Sequence, residues 1–264
     1  MGFKTDGTSH SSGVKNESNI CTFLNESPQD PLGIKKCLNC SDSSLLHYTH
    51  IGGTKDVSDM NISLDGKLIS GCSIKNHKKG TFDYINTSLL SNYLSPDKVK
   101  KIDIMKSELV RKYHKKPELI ETCRKENDEF INGILSCLNS DGIKNILRAI
   151  NQRNPELFII NDTKKNKYLM FKKEQFRELY TYPYEETTYI VKTKKNSKTS
   201  RCIYRVDECG NETDTHLRIR LTLNNGVNAL LGLSTSNSSS SYSIKVQQDD
   251  VDSHITEPYS SCDY

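Results

Sequence analysis

Residues 57–75 read VSDMNISLDGKLISGCSIK, and this stretch decides the fold of the first third of the chain. Apolar residues occupy even-numbered positions on both sides of the Asp65-Gly66 dipeptide, and most odd-numbered positions are polar. The apolar set is Met60, Ile62, Leu64, Leu68, Cys72 and Ile74. Alternation with a period of two on both sides of Asp-Gly is typical of a β-hairpin with one apolar face and one polar face.

The length of the turn decides which side chains share a face. A two-residue loop that pairs Leu64 with Lys67 would place the apolar face of one strand opposite the polar face of the other. We therefore expect a three-residue loop, with the glycine in a left-handed position followed by a bulge. Asp59, Ser73 and Lys75 then project from the same face.

An aspartate and a lysine on one face of adjacent strands have an evident chemical use. A carboxylate binds Mg²⁺, which takes oxygen ligands and keeps several waters. An ammonium group holds a phosphate or helps to generate hydroxide from water. The pattern indicates phosphodiester cleavage by Asp59 and Lys75, and an exposed hairpin with an ordinary polar face stays open as the alternative.

The rest of the chain contains a helical part and a β-rich part. Helical spacing of apolar residues in 14–25 predicts a helix that begins near Gly13 and carries Glu17 beside its buried stripe. Helical patterns dominate from Pro96 to Asn151, with starts near residues 96, 117 and 140. Predicted strands follow at 157–160, 168–171, 188–193, 202–206, 217–223, 229–233 and 242–247. Asn225-Gly226 signals a hairpin, and the last dozen residues are expected to fray.

Composition indicates an intracellular, cytoplasmic protein without a membrane partner. Of the 264 residues 34% are hydrophobic, no run approaches a membrane span, and Met1 to Gly13 lacks the apolar core of a signal peptide. Nine cysteines without a regular rhythm are expected to be free thiols. Cys37, Cys40, His47 and His50 have the residue types of a zinc site, but their spacing is short, and thiols in a loop are the alternative.

The order of these features resembles the core of the PD-(D/E)XK nucleases: a helix with a glutamate, a strand with Asp, a hairpin, and a strand that ends in x-Lys. The residues that carry the resemblance are GVKNE at 13–17, GGTKDVSD at 52–59 and SIKN at 73–76. The surrounding SIKNHKKGTFDYINTS at 73–88 and the late YSIKVQQ at 242–248 are similar to type II restriction endonucleases.

This resemblance implies a role for each residue of the motif. Asp59 would be the metal ligand, Lys75 the catalytic lysine, and Glu17 the helix carboxylate that supports the metal or its water. Ser73 departs from the family, which most often has Glu or Asp there, so a second metal ligand must come from elsewhere or the site uses one ion. The candidates, in order, are Glu17, Asp56 and Asp83.

Basic and amide side chains are the candidates for DNA contacts. Near the motif these are Lys55, Asn76, His77, Lys78 and Lys79. In the β-rich part, base readout is expected from Arg201, Arg205, Arg218, Arg220, Asn237, Lys245, Gln247 and Gln248. A solvated face is the alternative for each of them.

The sequence as a whole predicts one α/β nuclease domain over residues 1–264, with a mixed central sheet flanked by helices. It would comprise catalytic motifs in 10–95, a helical insertion in 96–151 and a β-rich DNA-recognition part in 152–250. The resemblance implies a Mg²⁺-dependent, site-specific endonuclease of double-stranded DNA, as in restriction-modification systems, and a homodimer if the site is palindromic. A repair or recombination nuclease of the same fold and a catalytically inactive DNA-binding module are the alternatives.

Overall fold

A computed structural model describes residues 8–27, 29–51, 58–77, 82–153, 155–163, 165–176, 185–193, 199–233, 241–249 and 257–264. Side chains are described throughout these ranges except at residues 8–13, 76–77, 82–83 and 153. The fold is mixed α/β with a β-rich C-terminal part, as the sequence predicts. Among the described helices, none has both the length and the apolar character needed to cross a bilayer.

The chain divides into two compact units. Unit 1 comprises residues 1–82, 153–182 and 250–264, and unit 2 comprises residues 83–152 and 183–249. The predicted helical insertion therefore belongs to unit 2 almost entirely, whereas the predicted part 152–250 contributes to both units.

Unit 1 contains a six-stranded mixed sheet, sheet A, with the strand order β1-β2-β3-β5-β6-β11. Its helices are α1 (Thr8–Glu26) and α2 (Ile34–Cys37), and its strands are β1 (Leu46–His50), β2 (Met60–Leu64), β3 (Lys67–His77), β5 (Leu157–Asp162), β6 (Lys167–Lys172) and β11 (Ser260–Asp263). Strands β3 and β5 are parallel, and the other neighbours are antiparallel. The order of helix, strand, hairpin and strand is the one expected from the sequence.

One face of sheet A packs against α1. Ile20 and Leu24 of the helix share a buried cluster with Met60 of β2 and with Cys72 and Ile74 of β3. Because successive side chains of a strand alternate between faces, the odd-numbered residues of β2 and β3 lie on the opposite face. Met60, Ile62, Cys72 and Ile74 lie in this core, as predicted, and Leu64 packs against it. The prediction is wrong for Leu68, which is opposite Ser63 and is 57% exposed.

The loop between β2 and β3 is shorter than expected, and the bulge lies within the strands. Leu64 pairs with Lys67, so the loop has two residues, and both Asp65 (φ 50°) and Gly66 (φ 77°) have positive φ. The register then shifts between Ile62 and Ser63. The expectation of a three-residue loop is wrong: a tight turn is followed by a bulge inside the strands, and the bulge restores the match of apolar to apolar faces.

Unit 2 contains a five-stranded sheet, sheet B, with the order β4-β10-β9-β8-β7. Its helices are α3 (Pro96–Tyr113), α4 (Ile120–Ser136), α5 (Ser140–Arg153) and α6 (Gly226–Leu230), and its strands are β4 (Phe82–Thr87), β7 (Thr188–Thr193), β8 (Ser200–Val206), β9 (Glu212–Leu223) and β10 (Tyr242–Gln248). Short 3₁₀ turns occur at Leu90–Asn92 and Pro117–Leu119 in this unit and at Lys173–Gln175 in unit 1.

Three further expectations are wrong. The first helix begins at Thr8 rather than near Gly13. Residues 229–233 do not form a strand, because Asn225 and Gly226 start helix α6, whose Val227 and Leu230 are buried. Residues 260–263 are not frayed, since β11 pairs with β6, and residues 253–256 of the segment expected to fray lie outside the described residues.

Candidate functional site

The side chain of Ser58, the residue before Asp59, lies against Gly71 of β3. A Cβ atom added to Gly71 would overlap the Ser58 hydroxyl and lie 3.0 Å from the Ser58 Cβ. Only a glycine therefore lets the residue before Asp59 approach β3 this closely. The Asp59 N–H then donates to the carbonyl of Cys72 at 3.0 Å, which fixes the backbone at the start of β2.

The carboxylate of Asp59 is held by the strand opposite it. Its Oδ2 accepts hydrogen bonds from the Ser73 hydroxyl at 2.9 Å and from the Ile74 N–H at 2.6 Å. The Nζ of Lys75 lies 3.7 Å from the same oxygen. The predicted convergence of these three residues on one face is confirmed, and their catalytic roles stay predictions.

The Asp59 and Lys75 pair is half-buried. The side chain of Asp59 is 29% exposed and that of Lys75 is 22% exposed, so both groups are open to a ligand. Within the described residues, Oδ1 of Asp59 makes no hydrogen bond. The pair thus offers one carboxylate oxygen and one ammonium group to a bound molecule.

The thiol behind the pair is not a reactive group. Burial, together with the Asp59 carboxylate, raises the pKa of Cys72 well above its usual value. A thiol with a raised pKa is protonated near neutral pH and is a poor nucleophile.

Glu17 is paired with a histidine of β1. Its Oε2 lies 3.0 Å from Nε2 of His50, which is opposite Met60 and therefore on the face of sheet A that packs against α1. Asp59 comes directly before Met60, and its carboxylate contacts Ser73 and Lys75, whose side chains are on the opposite face. Glu17 is thus paired with His50 and has no contact with Asp59, Ser73 or Lys75 among the described interactions, and its role at the metal stays a prediction.

The other acids give no second ligand among the described residues. Asp56 lies outside those residues, and only the backbone of Asp83 is described. Asp162, which the sequence reasoning missed, is on the Lys75 face at the end of β5, but its register partner is His77 and its carboxylate pairs with Lys165 at 3.6 Å. An acid two residues after the apolar run 157–160 was the available signal.

The donor set limits the kind of metal site that fits. Across the described ranges, no three His, Cys, Asp or Glu side chains are grouped so as to hold a metal ion. Mg²⁺, however, is commonly bound by one or two carboxylates, with water and substrate phosphate completing the shell. The Asp59 Oδ1 fits an ion held in this way, and a site with several carboxylates does not fit the described side chains.

The candidate zinc ligands are not brought together. His50 is bound to Glu17, and Nδ1 of His47 lies 3.3 Å from the Thr49 hydroxyl. Cys37 and Cys40 pack at the edge of the core of unit 1 as free thiols. These four described residues form no metal cluster.

Many of the candidate DNA contacts fall outside the described side chains. These are Lys55, Lys78, Lys79 and Asn237, together with Asn76 and His77, for which only the backbone is described.

Two of the predicted base-reading arginines are structural. Arg201 is 1% exposed and donates hydrogen bonds to the carbonyl and side chain of Asn132 and to Ser136 of α4. Arg218 is 7% exposed and is paired with Asp214 at 3.0 Å and Asp249 at 3.1 Å. The prediction that they contact DNA bases is wrong for both, because their guanidinium groups are used inside unit 2.

The remaining candidates keep some exposure. Arg205, Arg220, Lys245 and Gln247 are half-buried, whereas Gln248 is 3% exposed. On sheet B, Lys245 is opposite Arg220 and Gln247 is opposite Arg218.

Comparisons with known proteins add no assignment. No protein-family model matches the chain, and the searches of curated proteins and of solved structures find no significant match.

Proposed function

We propose that this chain is a magnesium-dependent DNA endonuclease and that it hydrolyses phosphodiester bonds at Asp59 and Lys75. The observation that carries the proposal is the pair itself: the Lys75 Nζ lies 3.7 Å from the Asp59 Oδ2 on the face of sheet A opposite α1. Its support in the sequence is the resemblance of residues 10–95 to the PD-(D/E)XK core.

Lys75 has the position and charge to bind the scissile phosphate. Its ammonium group is a compact cation. Its backbone is part of β3, where Lys75 is opposite Ile160 of the parallel strand β5. A fixed cation stabilises the negative charge that develops on the phosphate oxygens during attack by water. Asp59, whose Oδ2 lies 3.7 Å from the Lys75 Nζ, partly offsets this charge.

Asp59 would hold the metal through Oδ1, since Oδ2 already accepts hydrogen bonds from Ser73 and Ile74. Bound Mg²⁺ supplies charge neutralisation at the phosphate and a lower pKa for an attacking water. The Ser73 hydroxyl orients Asp59 where the family most often has a second acid. The described residues therefore favour a site with one ion.

The type of endonuclease follows from the same resemblance. Type II restriction enzymes cut at defined sequences and leave 5′-phosphate ends, and those that cut palindromes act as two-fold dimers. We propose this behaviour for the present chain. A repair or recombination nuclease would instead give no fixed band pattern on a plasmid.

One observation favours a second candidate, a catalytically inactive DNA-binding module. Ser73 stands at the acid position of the motif, and one oxygen of Asp59 is fully engaged within the protein. That candidate predicts DNA binding without cleavage at any Mg²⁺ or Mn²⁺ concentration.

Digestion of a large plasmid with Mg²⁺ or with EDTA tests the proposal. We expect discrete fragments from the wild-type protein with Mg²⁺ and no cleavage with EDTA. Asp59→Asn should abolish cleavage, whereas the matched control Asp65→Asn should cut normally, because Asp65 is an exposed turn residue with positive φ, a conformation that Asn accepts. Cleavage by folded Asp59→Asn at the wild-type rate would place the site elsewhere, and a wild-type protein that binds but never nicks would favour the inactive module.

A further inference from the structure

A cleft in unit 2 lies between the start of α3 and one face of α5. Its volume is about 540 Å³. Small-molecule sites usually have volumes of about 300 to 1,000 Å³, so the cleft is large enough for such a ligand. Residues from the segment 91–98 line one side, and residues from the segment 138–152, which contains α5, line the other. Both segments belong to unit 2, so the cleft is formed within one compact unit.

Helix α5 presents its polar face to the cleft. Asp141, Asn145, Arg148 and Gln152 are spaced as residues i, i+4, i+7 and i+11, which share one face of a helix. The opposite face is buried and carries Ile143, Ile146, Leu147 and Ile150. One wall of the cleft therefore consists of side chains that form hydrogen bonds.

The charge of Arg148 is balanced inside unit 2. Its Nε and Nη2 donate hydrogen bonds to Glu185 at 2.9 and 2.7 Å, and its Nη1 donates to Oδ1 of Asn145 at 2.8 Å. Asn139 also uses its Oδ1, which accepts a hydrogen bond from the Gly142 N–H at 3.0 Å. The side-chain N–H groups of Asn139 and Asn145 are left to donate to a ligand.

Two opposite charges of the cleft are not balanced in this way. The Lys98 ammonium group and the Asp141 carboxylate form no ion pair with each other or with any other described residue. Lys98 is half-buried and lies in the first turn of α3, where the helix dipole disfavours a cation. Asp97 does not face it, because consecutive residues of a helix point in different directions. The cleft thus offers one cation and one carboxylate, from different helices, to a bound molecule.

We propose that this cleft binds a small zwitterion with the chemistry of a free amino acid or a dipeptide. The ligand carboxylate pairs with Lys98, and the ligand ammonium group pairs with Asp141. Asn139 and Asn145 donate hydrogen bonds to its carbonyl or carboxylate oxygens. A ligand with only a negative or only a positive group would leave one of the two charges of the cleft without a partner. This binding function goes beyond the proposed nuclease and does not depend on it.

Calorimetric titration of the wild-type protein, in EDTA and without DNA, tests the charges of the ligand. We expect saturable binding of L-alanine or of L-alanyl-L-alanine, and the tighter of the two distinguishes an amino-acid site from a dipeptide site. N-acetylation removes the ammonium charge of that ligand, and amidation removes its carboxylate charge. Each change should weaken binding about tenfold or more, because each removes a hydrogen bond between charged groups.

Two variants assign the ligand charges to residues. Lys98→Gln and Asp141→Asn should each weaken binding of the unmodified ligand about tenfold or more. Lys98→Gln should also bind the amidated ligand about as well as the unmodified one, and Asp141→Asn should do the same for the acetylated ligand. The matched controls Lys100→Gln and Asp103→Asn change exposed residues of α3 that do not line the cleft, and they should leave the affinity unchanged.

Three results would each overturn the proposal. The first is a wild-type protein that shows no saturable binding of either ligand. The second is a wild-type protein that binds the acetylated or the amidated ligand as tightly as the unmodified one. The third is wild-type affinity in Lys98→Gln or in Asp141→Asn.

Discussion

Replacement of Gly71 by alanine should displace Asp59 and slow cleavage. The new Cβ would overlap the Ser58 hydroxyl and lie 3.0 Å from the Ser58 Cβ and 3.4 Å from the Pro155 Cβ. Favourable contacts between carbon atoms are about 3.5 to 4.0 Å long, so Ser58 must shift by a few tenths of an ångström and its hydroxyl must change rotamer. Overpacking of this kind costs about 1 to 3 kcal/mol of unfolding free energy.

The effect on the rate follows from the covalent link between Ser58 and Asp59. A shift of about 1 Å in a reacting group can cost on the order of 100-fold in rate. A shift of a few tenths of an ångström costs less, so we expect Gly71→Ala to cut plasmid up to about 10-fold more slowly in single-turnover assays, with the loss in the rate constant rather than in DNA affinity. Urea unfolding measures the change in unfolding free energy, and fluorescence anisotropy measures the DNA affinity.

A second substitution should rescue the first. Ser58→Gly removes both atoms that the new methyl group meets in Ser58, so the double variant Ser58→Gly/Gly71→Ala should recover most of the rate. Gly133→Ala in α4 is the matched control, because its added Cβ meets nothing within 4 Å, and it should be neutral or slightly stabilising. Wild-type stability and rate in Gly71→Ala, or no recovery in the double variant, would refute this reasoning.

Two more substitutions each change one carboxylate, the first in unit 1 and the second in unit 2. Ser73→Asp adds a carboxylate beside Asp59, so it should lower the Tm in EDTA. It should also increase the rise in Tm that Mg²⁺ produces, because the metal stabilises the state that binds it. An equal rise in the wild type and the variant would contradict the metal site. Burial opposes ionisation of Asp214, but hydrogen bonds from Arg218 and the His216 N–H outweigh it and lower its pKa. The stabilisation from Asp214 is therefore complete above its unfolded pKa of about 4 and is lost as pH falls through the folded value. Urea unfolding between pH 7 and pH 2.5 should show that Asp214→Asn loses less unfolding free energy at acid pH than the wild type does. An equal loss in both proteins would contradict this prediction.

The sequence predicted correctly which face Met60, Ile62, Cys72 and Ile74 occupy, but it predicted neither the turn nor the exposure of Leu68. Alternation of apolar residues identifies which side chains share a face, because each strand must bury one side. The alternation does not say at which residue a bulge brings the apolar faces of the two strands into register. A bulge in the turn or between Ile62 and Ser63 gives the same pairing of Met60 with Cys72, so the choice depends on packing that the local pattern does not contain.

Asn225-Gly226 shows the limit of a dipeptide signal. Both residues have the positive φ that a tight hairpin turn requires. The same conformation also allows Asn225 to precede a short helix, and burial of Val227 and Leu230 in unit 2 favours that outcome. Strands β9 and β10 still pair, but with the helix and residues 231–241 between them.

Site residues distant in sequence were the hardest to predict. Helical spacing placed Glu17 near the buried stripe of α1, but which face of the sheet the helix covers is set by tertiary packing. The same holds for Arg201, whose strand position gave no sign that α4 would supply Asn132 and Ser136 as partners. Asp59, Ser73 and Lys75 were predictable together because one hairpin carries all three.

The central claim is that Asp59 and Lys75 act on the same phosphate, and a double-mutant cycle of single-turnover cleavage rates tests it most directly. We expect Asp59→Asn and Lys75→Met each to reduce the rate at least about 100-fold, and the double variant to be little slower than the worse single variant, because groups that act as a unit are not additive. Cleavage near the wild-type rate by either folded single variant would contradict the account.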